Sequence, residues 1–293
     1  MQESKLMVQD VMGYAIEKYH FGTADGPKLL VTAGIHGGEV TGIHTARRLI
    51  TWLQENEANL KGQVIVLPLC NPAGFRRMQR TSPYDELDMN RIFPGSLKGT
   101  PTQVGAALVY EEAKSVDYIV DLHCCGLYGS NYTLSIYNES ARDRELASML
   151  AIPVVVESAG AAGQLFIEAS RNLGKAAVII ELAGGQPLGK VDLEACEEAY
   201  QAMVGLIKQL KILDEPVVKS EPVFCGRLEA VRSIADAYFQ PVVEAGVWVK
   251  EGDLLGTLDG EPLCALKDCR IMNIGPARYL FQGNGLYTFI VKA

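Results

Sequence analysis

Residues 28–39 read KLLVTAGIHGGE, and they indicate the fold class. The run 28–33 is apolar and rich in β-branched residues, which is typical of a buried parallel strand. It leads through a glycine-rich turn into residues 40–54, where apolar side chains recur at helical spacing. A strand that passes through a tight turn directly into a helix is the repeating unit of an α/β fold.

The same pattern recurs along the next part of the chain. We predict further strands at residues 63–69, 117–122 and 177–182, with weaker candidates at 132–137 and 153–157. Helical spacing of apolar residues predicts helices at residues 104–114, 142–150 and 193–211. Strands that alternate with helices predict a mostly parallel or mixed sheet with helices on both faces.

The character of the sequence changes near residue 214. Residues 214–221, DEPVVKSE, are polar and read as a linker. From residue 223 onward, short β segments separated by glycines predict a small all-β, barrel-like module. We therefore predict an α/β domain over residues 1–217 and a β-rich domain over residues 218–293.

Composition limits the partners that we expect. The chain has 293 residues, a formal net charge of −8 and a 48% hydrophobic composition. An acidic surface repels phosphate groups, so we expect neither nucleic acid nor membrane as a partner. The seven cysteines form no C-x-x-C pair, and the first residues show no basic region followed by an apolar run. We therefore expect reduced thiols and a cytoplasmic location.

Metal-ligating residue types mark the ends of two predicted strands. His36 and Glu39 lie three residues apart in the glycine turn, and His123 follows the strand at 117–122. Imidazole and carboxylate groups are ordinary zinc ligands. Asp121 lies two residues before His123, so we expect it on the same side of the strand, where it could orient a ligand.

A buried carboxylate and a long polar loop are predicted at the same edge of the sheet. Glu181 closes an apolar strand, a costly position unless the carboxylate has a partner. Residues 71–95, which follow the strand at 63–69, are rich in Arg and Asn. Because ligands of open α/β sheets bind at the carboxyl ends of the strands, we expect these groups to converge. Arginines there are suited to binding a carboxylate.

Taken in order, these motifs resemble the succinylglutamate desuccinylase/aspartoacylase family, a branch of the zinc carboxypeptidase superfamily. The residues that carry the resemblance are Gly34-x-His36-Gly-Gly-Glu39, Asn71-Pro, Arg80, Asp88-x-Asn90-Arg91-x-Phe-Pro-Gly95, Asp121-Leu-His123 and Ile180-Glu181. The resemblance covers most of the first 190 residues. It implies a zinc-carboxypeptidase-like domain and a C-terminal domain that caps the active site and restricts it to small substrates.

The resemblance also implies residue roles. His36, Glu39 and His123 would hold one zinc ion with an open position for water, and Glu181 would be the general base. Arg80 would stabilise the oxyanion; Arg77 and Arg76 are the alternatives, because the spacing of this arginine varies among relatives.

Asn90 and Arg91 would bind a substrate carboxylate, and Asp88 would support the site. A helix cap and a structural ion pair are the alternative interpretation of the Asn90–Arg91 pair.

These assignments predict a zinc-dependent hydrolase that cleaves the acyl–amide bond of a small carboxylate-bearing substrate such as an N-acyl amino acid. Two alternatives remain: a metallocarboxypeptidase that acts on short peptides, and a non-catalytic binding protein that contains a metal. A dinucleotide-dependent dehydrogenase is disfavoured, because no G-x-G-x-x-G motif opens a βαβ unit. The acyl group, the amine and the native metal stay open at this point, and a homo-oligomer is compatible with the sequence.

Overall fold

The computed structural model describes residues 1–8, 14–23, 25–219 and 221–293. Residues 9–13 of the N-terminal segment, residue 24 and residue 220 of the predicted linker therefore lie outside the described part.

A mixed ten-stranded sheet forms the centre of the larger part of the molecule. Its strands are β1 (Gln2–Met7), β2 (Ala15–Phe21), β3 (Lys28–Ala33), β4 (Gln63–Leu67), β5 (Tyr118–Gly126), β6 (Tyr132–Ser135), β7 (Val154–Glu157), β8 (Ala176–Gly185), β9 (Lys190–Val191) and β10 (Val223–Cys225). The strand order is β1-β2-β4-β3-β5-β8-β6-β7-β10, and β9 pairs with β8. The central strands β4, β3, β5 and β8 run parallel, so their carboxyl ends share one edge.

Helices cover both faces of this sheet. They are α1 (Val40–Asn56), α2 (Pro72–Arg76), α3 (Pro101–Lys114), α4 (Ala141–Met149), α5 (Leu165–Leu173) and α6 (Leu193–Gln209). One buried core joins the sheet to α1, α4 and α6, and a second joins its other face to α3 and α5. The larger helices begin at clear signals: Asp192 caps α6 by accepting the Ala195 N–H, and Pro101 opens α3.

The structure confirms the predicted α/β architecture and extends several elements. Strand β5 continues through His123 to Gly126, and β8 continues through Glu181 to Gly185, so neither residue ends its strand as predicted. The two strands remain paired along their length, with His123 opposite Glu181. The antiparallel pair β1–β2 and helix α5 were not predicted.

The C-terminal part folds into two four-stranded antiparallel sheets. Their strands are β11 (Glu229–Arg232), β12 (Ala237–Pro241), β13 (Trp248–Val249), β14 (Leu254–Leu258), β15 (Glu261–Cys264), β16 (Cys269–Ile274), β17 (Arg278–Leu280) and β18 (Gly285–Ile290). The two sheets enclose a small core of their own, so an all-β module is present as predicted. The preceding strand β10 belongs to the large sheet, where it pairs with β7.

The β module contacts the large sheet just beyond His123. The Ser130 N–H donates to the Met272 carbonyl, and the Asn273 side chain donates to the Cys125 carbonyl. A small apolar cluster buries Tyr132 of β6 together with Met272 and Ile290 of the module. Among the helices of the described ranges, none is both long and apolar enough to cross a membrane.

Candidate metal centre

The turn between β3 and α1 is compressed by its glycines. Gly34 has a φ of +61°, a conformation that favours glycine. At Gly37, an added Cβ would lie 2.0 Å from the Gly74 carbonyl carbon, so the turn packs directly on helix α2. This close packing positions His36 and Glu39 at the carboxyl end of the sheet.

Three side chains from distant parts of the sequence converge here. His36 Nδ1 lies 2.7 Å from Glu39 Oε1, and His123 Nδ1 lies 2.8 Å from Glu39 Oε2. The two Nδ1 atoms are 3.1 Å apart. One ligand atom from each residue falls within 4.8 Å of the others, and all three residues are buried. Two imidazoles and a carboxylate that converge on one point form a ligand set that fits a catalytic zinc ion.

Each imidazole also contacts a carboxylate of its own through the ring nitrogen that faces away from Glu39. His36 Nε2 lies 3.0 Å from Asp88 Oδ1, and His123 Nε2 lies 2.7 Å from Asp121 Oδ2. When each Nε2–H donates to its carboxylate, each Nδ1 lone pair faces the centre, as a metal ligand requires. Asp121 also accepts a hydrogen bond of 2.7 Å from Thr32 Oγ1, its register partner on β3. The expectation that Asp121 shares a face with His123 is therefore confirmed.

The electrostatics of the three residues agree with a cation site. Burial alone would raise the pKa of Glu39, but His123 and His36 outweigh it and lower the pKa to about 2. Burial alone would lower the pKa of both histidines, but carboxylates outweigh it and raise both pKa values above their ordinary range. Glu39 is therefore ionised, and the protons held by the imidazoles are those that a metal ion would displace.

Glu181 lies next to this cradle on strand β8. It is the register partner of His123, so the two side chains project from the same face of the sheet. Glu181 is half-buried. Burial raises its pKa to about 7, with a further rise from Glu39 that is opposed by His123. A carboxylate with such a pKa can exchange protons near neutral pH.

Of the three candidate arginines, the structure brings Arg80 to the centre. Arg80 Nε donates to Asp88 Oδ2 at 2.8 Å, and Arg80 Nη1 lies 3.8 Å from Glu39 Oε1. Arg76 and Arg77 are exposed and form no ion pair within the described residues. Asp88 therefore connects Arg80 to His36, which gives the predicted supporting role a definite geometry.

Asn90 and Arg91 lie in different environments. Asn90 is buried; its amide oxygen accepts the Leu165 N–H at 2.9 Å, and its amide nitrogen lies 3.3 Å from His123 Nε2. The amide oxygen is thus already engaged within the protein. Arg91 is exposed and donates to the Asn90 carbonyl at 2.7 Å, and no carboxylate of the described residues pairs with it. Its guanidinium retains free donors for a ligand.

Two groups that support the site were not identified from the sequence. The backbone N–H of Cys124 donates to Glu39 Oε2 at 3.1 Å, a contact that no side-chain pattern reveals. Thr32 would have been detectable as a polar residue inside an apolar strand. Burial raises the pKa of the Cys124 thiol to about 12, so the thiol is neutral, and Cys124 is not part of the group formed by His36, Glu39 and His123.

Comparison with known sequences identifies the family. The family model of the succinylglutamate desuccinylase/aspartoacylase catalytic domain matches residues 25–207. The chain belongs to this family. It is 28% identical over 206 residues to the N-alpha-acetyl-L-2,4-diaminobutyric acid deacetylase of Halomonas elongata, covering 66% of this chain and 60% of that protein. It is 27% identical over 217 residues to a succinylglutamate desuccinylase of Pseudomonas aeruginosa, covering 65% and 62%. The chain thus spans about three fifths of the length of these relatives.

Solved structures of the family share the fold. A succinylglutamate desuccinylase/aspartoacylase of Rhodobacter sphaeroides superimposes with a TM-score of 0.81 at 20% identity, covering 99% of this chain and 94% of that one. A product-bound ectoine utilization protein of Ruegeria pomeroyi gives a TM-score of 0.80 at 23% identity, covering 95% and 89%. The predicted combination of an α/β part with a C-terminal β part is therefore confirmed.

Proposed function

We propose that this protein is a zinc-dependent hydrolase that cleaves the acyl–amide bond of a small N-acyl amino acid or a related carboxylate. The observation that carries this proposal is the buried group formed by His36, Glu39 and His123, with Glu181 beside it. The names of the relatives, a deacetylase and a desuccinylase, support the reaction class.

The metal would be held by His36 Nδ1, His123 Nδ1 and the Glu39 carboxylate. A zinc ion so held supplies a Lewis acid for the carbonyl group and makes a water molecule more acidic. The surrounding contacts of Asp88, Asp121 and Thr32 keep the two imidazoles in the orientation that binding requires.

Glu181 moves the proton in this scheme. The water oxygen bonds to the carbonyl carbon while the Glu181 carboxylate accepts a proton from the water. The carbon–nitrogen bond then breaks, and Glu181 returns the proton to the departing amine. The products are a carboxylate and a free amine, and the atoms of one water molecule are divided between them.

The arginines supply binding and charge stabilisation. The Nη atoms of Arg80 can donate to the oxyanion that forms on the carbonyl oxygen, since Asp88 fixes Arg80 through its Nε atom. The guanidinium of Arg91 is available to bind the substrate carboxylate. We keep Asn90 in the proposed substrate site with its amide NH₂ group as the remaining donor.

A screen of substrates tests the proposal. Wild-type protein loaded with Zn²⁺ should cleave at least one of a set of N-acetyl, N-succinyl and N-formyl amino acids. Glu181→Gln should reduce kcat at least about 100-fold while binding the same amount of metal. Equal turnover by Glu181→Gln would contradict the assignment of the base.

Peptides in the same screen separate the proposed deacylase from a carboxypeptidase. Because the β module packs beside residues 125–130, directly beyond His123, we expect long peptides to be poor substrates. Faster cleavage of a long peptide than of every N-acyl amino acid would favour the carboxypeptidase.

A further inference from the structure

Tyr132 continues the row of side chains that begins at the metal cradle. Strand β8 pairs with β5 on one side and with β6 on the other, and Glu181 is the register partner of both His123 and Tyr132. Directly opposed residues on neighbouring strands project from the same face, with Cβ atoms about 4.5–5.5 Å apart. His123, Glu181 and Tyr132 therefore form one row across the carboxyl edge of the sheet.

The hydroxyl group of Tyr132 has no hydrogen-bond partner among the described residues, although Tyr132 is only 6% exposed. Within the part of the chain that the structure describes, four fully enclosed polar side-chain atoms lack partners, namely those of Tyr14, Thr133, Ser135 and Arg270, and the Tyr132 hydroxyl is not one of them. The small exposed fraction of Tyr132 therefore includes its oxygen, which reaches accessible space.

The ring of Tyr132 is held in a small apolar cluster. It packs with Val154 of β7 and with Met272 and Ile290 of the β module. A buried tyrosine hydroxyl normally has a hydrogen-bond partner, so a fixed ring with an unpartnered, accessible hydroxyl indicates a partner that binds from outside. Burial and the nearby Glu181 raise the pKa of Tyr132, so the hydroxyl remains a donor.

We propose that Tyr132 is a substrate-contacting residue whose hydroxyl donates a hydrogen bond to an oxygen of the bound N-acyl amino acid beside Glu181. This inference rests on the proposed function and adds to it a specificity determinant that the β module holds in place. The substrates that benefit are those with a carboxylate or carbonyl oxygen on the Glu181 side of the scissile bond.

Tyr132→Phe tests this inference, because it removes only the hydroxyl and retains the ring. We expect kcat/KM for the best substrate of the screen to fall on the order of 10- to 100-fold. Metal content and thermal midpoint should stay at wild-type values, since the hydroxyl has no partner among the residues that the structure describes. In the Glu181→Gln background, calorimetry should show weaker binding of the same substrate by the Tyr132→Phe double variant.

Tyr137→Phe is the matched control. The Tyr137 hydroxyl donates to the Cys225 carbonyl at 2.9 Å, so this variant should lower the thermal midpoint and leave kcat/KM unchanged. If the wild-type protein is active and Tyr132→Phe retains its full kcat/KM and binding, the inference is overturned alone. If the wild-type protein neither binds nor cleaves any N-acyl amino acid, the proposed function is overturned and this inference with it.

Discussion

At the scale of single residues, the site depends on imidazoles whose two nitrogens have different tasks. In His36 and His123 the Nδ1 atom faces the common centre and the Nε2 atom faces a carboxylate. A carboxylate behind each imidazole holds the ring in one orientation and makes its Nδ1 atom a stronger metal ligand. Asp121 and Thr32 are fully buried in the sheet, so this support extends into the sheet itself.

The carboxylate behind His123 should control metal affinity. We expect Asp121→Asn to weaken zinc binding about 10- to 100-fold, because the amide is a poorer acceptor for the His123 Nε2–H and for the Thr32 hydroxyl. Competition with a chromogenic chelator measures the change. An affinity equal to that of the wild type would show that His123 needs no such support.

The protonation of Glu181 should set the acidic limit of activity. Only the ionised carboxylate accepts a proton, and the pKa of Glu181 is raised to about 7 by burial, so kcat/KM should fall as the pH falls through this value. A bound divalent cation lowers this pKa, so the apparent value should be about 7 or below. A pH–rate profile checks this, and constant kcat/KM down to about pH 4 would exclude Glu181 as the base.

At the scale of secondary-structure elements, one buried carboxylate joins the elements around β8. Asp143 of α4 accepts hydrogen bonds from Ser170 of α5 and from the Ala177 N–H of β8. The Asp143 side chain is itself fully buried. These contacts fix the strand that carries Glu181 relative to two helices.

Loss of this carboxylate should destabilise the fold without changing the chemistry. Asp143→Ala leaves the Ala177 N–H and the Ser170 hydroxyl without an acceptor, so we expect a loss of about 2–4 kcal/mol in the free energy of unfolding. Glu145→Ala, an exposed position on the same helix, is the control and should change it by less than about 0.5 kcal/mol. Urea unfolding measures both, and equal effects would contradict the role of Asp143.

The sequence predicted the elements whose patterns are strong and local. Apolar runs were sufficient to predict β3, β4, β5 and β8, and helical spacing was sufficient to predict α1 and α6. Helix α5 was missed although it is as long as the predicted helix α4, and the pair β1–β2 was missed because half of its pattern is polar. The strand ends near His123 and Glu181 depend on pairing between β5 and β8, which no single strand reveals.

The candidate site was likewise predicted from the sequence only in part. Residue types and the parallel order of the strands placed His36, Glu39 and His123 at one edge of the sheet, although β5 and β8 run past His123 and Glu181. The roles of the Cys124 N–H and of the Tyr132 hydroxyl depend on backbone direction and on strand register, which the sequence does not display.

At the scale of the whole molecule, the β module is joined to the large sheet at two places besides its hydrogen bonds with residues 125–130. One is the cluster of Tyr132, Met272 and Ile290. The other is the end of the chain, where the Gly226 N–H donates to the Val291 carbonyl and the Ala293 N–H donates to the Phe224 carbonyl. Because both junctions are buried or hydrogen-bonded, we expect the two parts to unfold together.

Met272 provides a test of this coupling. Met272→Ala opens a cavity between Tyr132 and the module, so we expect a loss of about 2–5 kcal/mol and a single unfolding transition at lower temperature. Leu266→Ala in the same module, at a side chain that is 65% exposed, should have little effect. Calorimetry compares the two variants, and two separate transitions would contradict the expected coupling.

The metal content of the purified protein and of its His123→Ala variant, measured together with chelation and reconstitution, shows whether the three residues hold a catalytic metal. We predict one divalent ion per wild-type chain, activity that disappears on chelation and returns with Zn²⁺, and a variant that binds no ion. A wild-type protein that is fully active without metal, or a variant that retains a full equivalent, would contradict the claim that His36, Glu39 and His123 hold a catalytic metal.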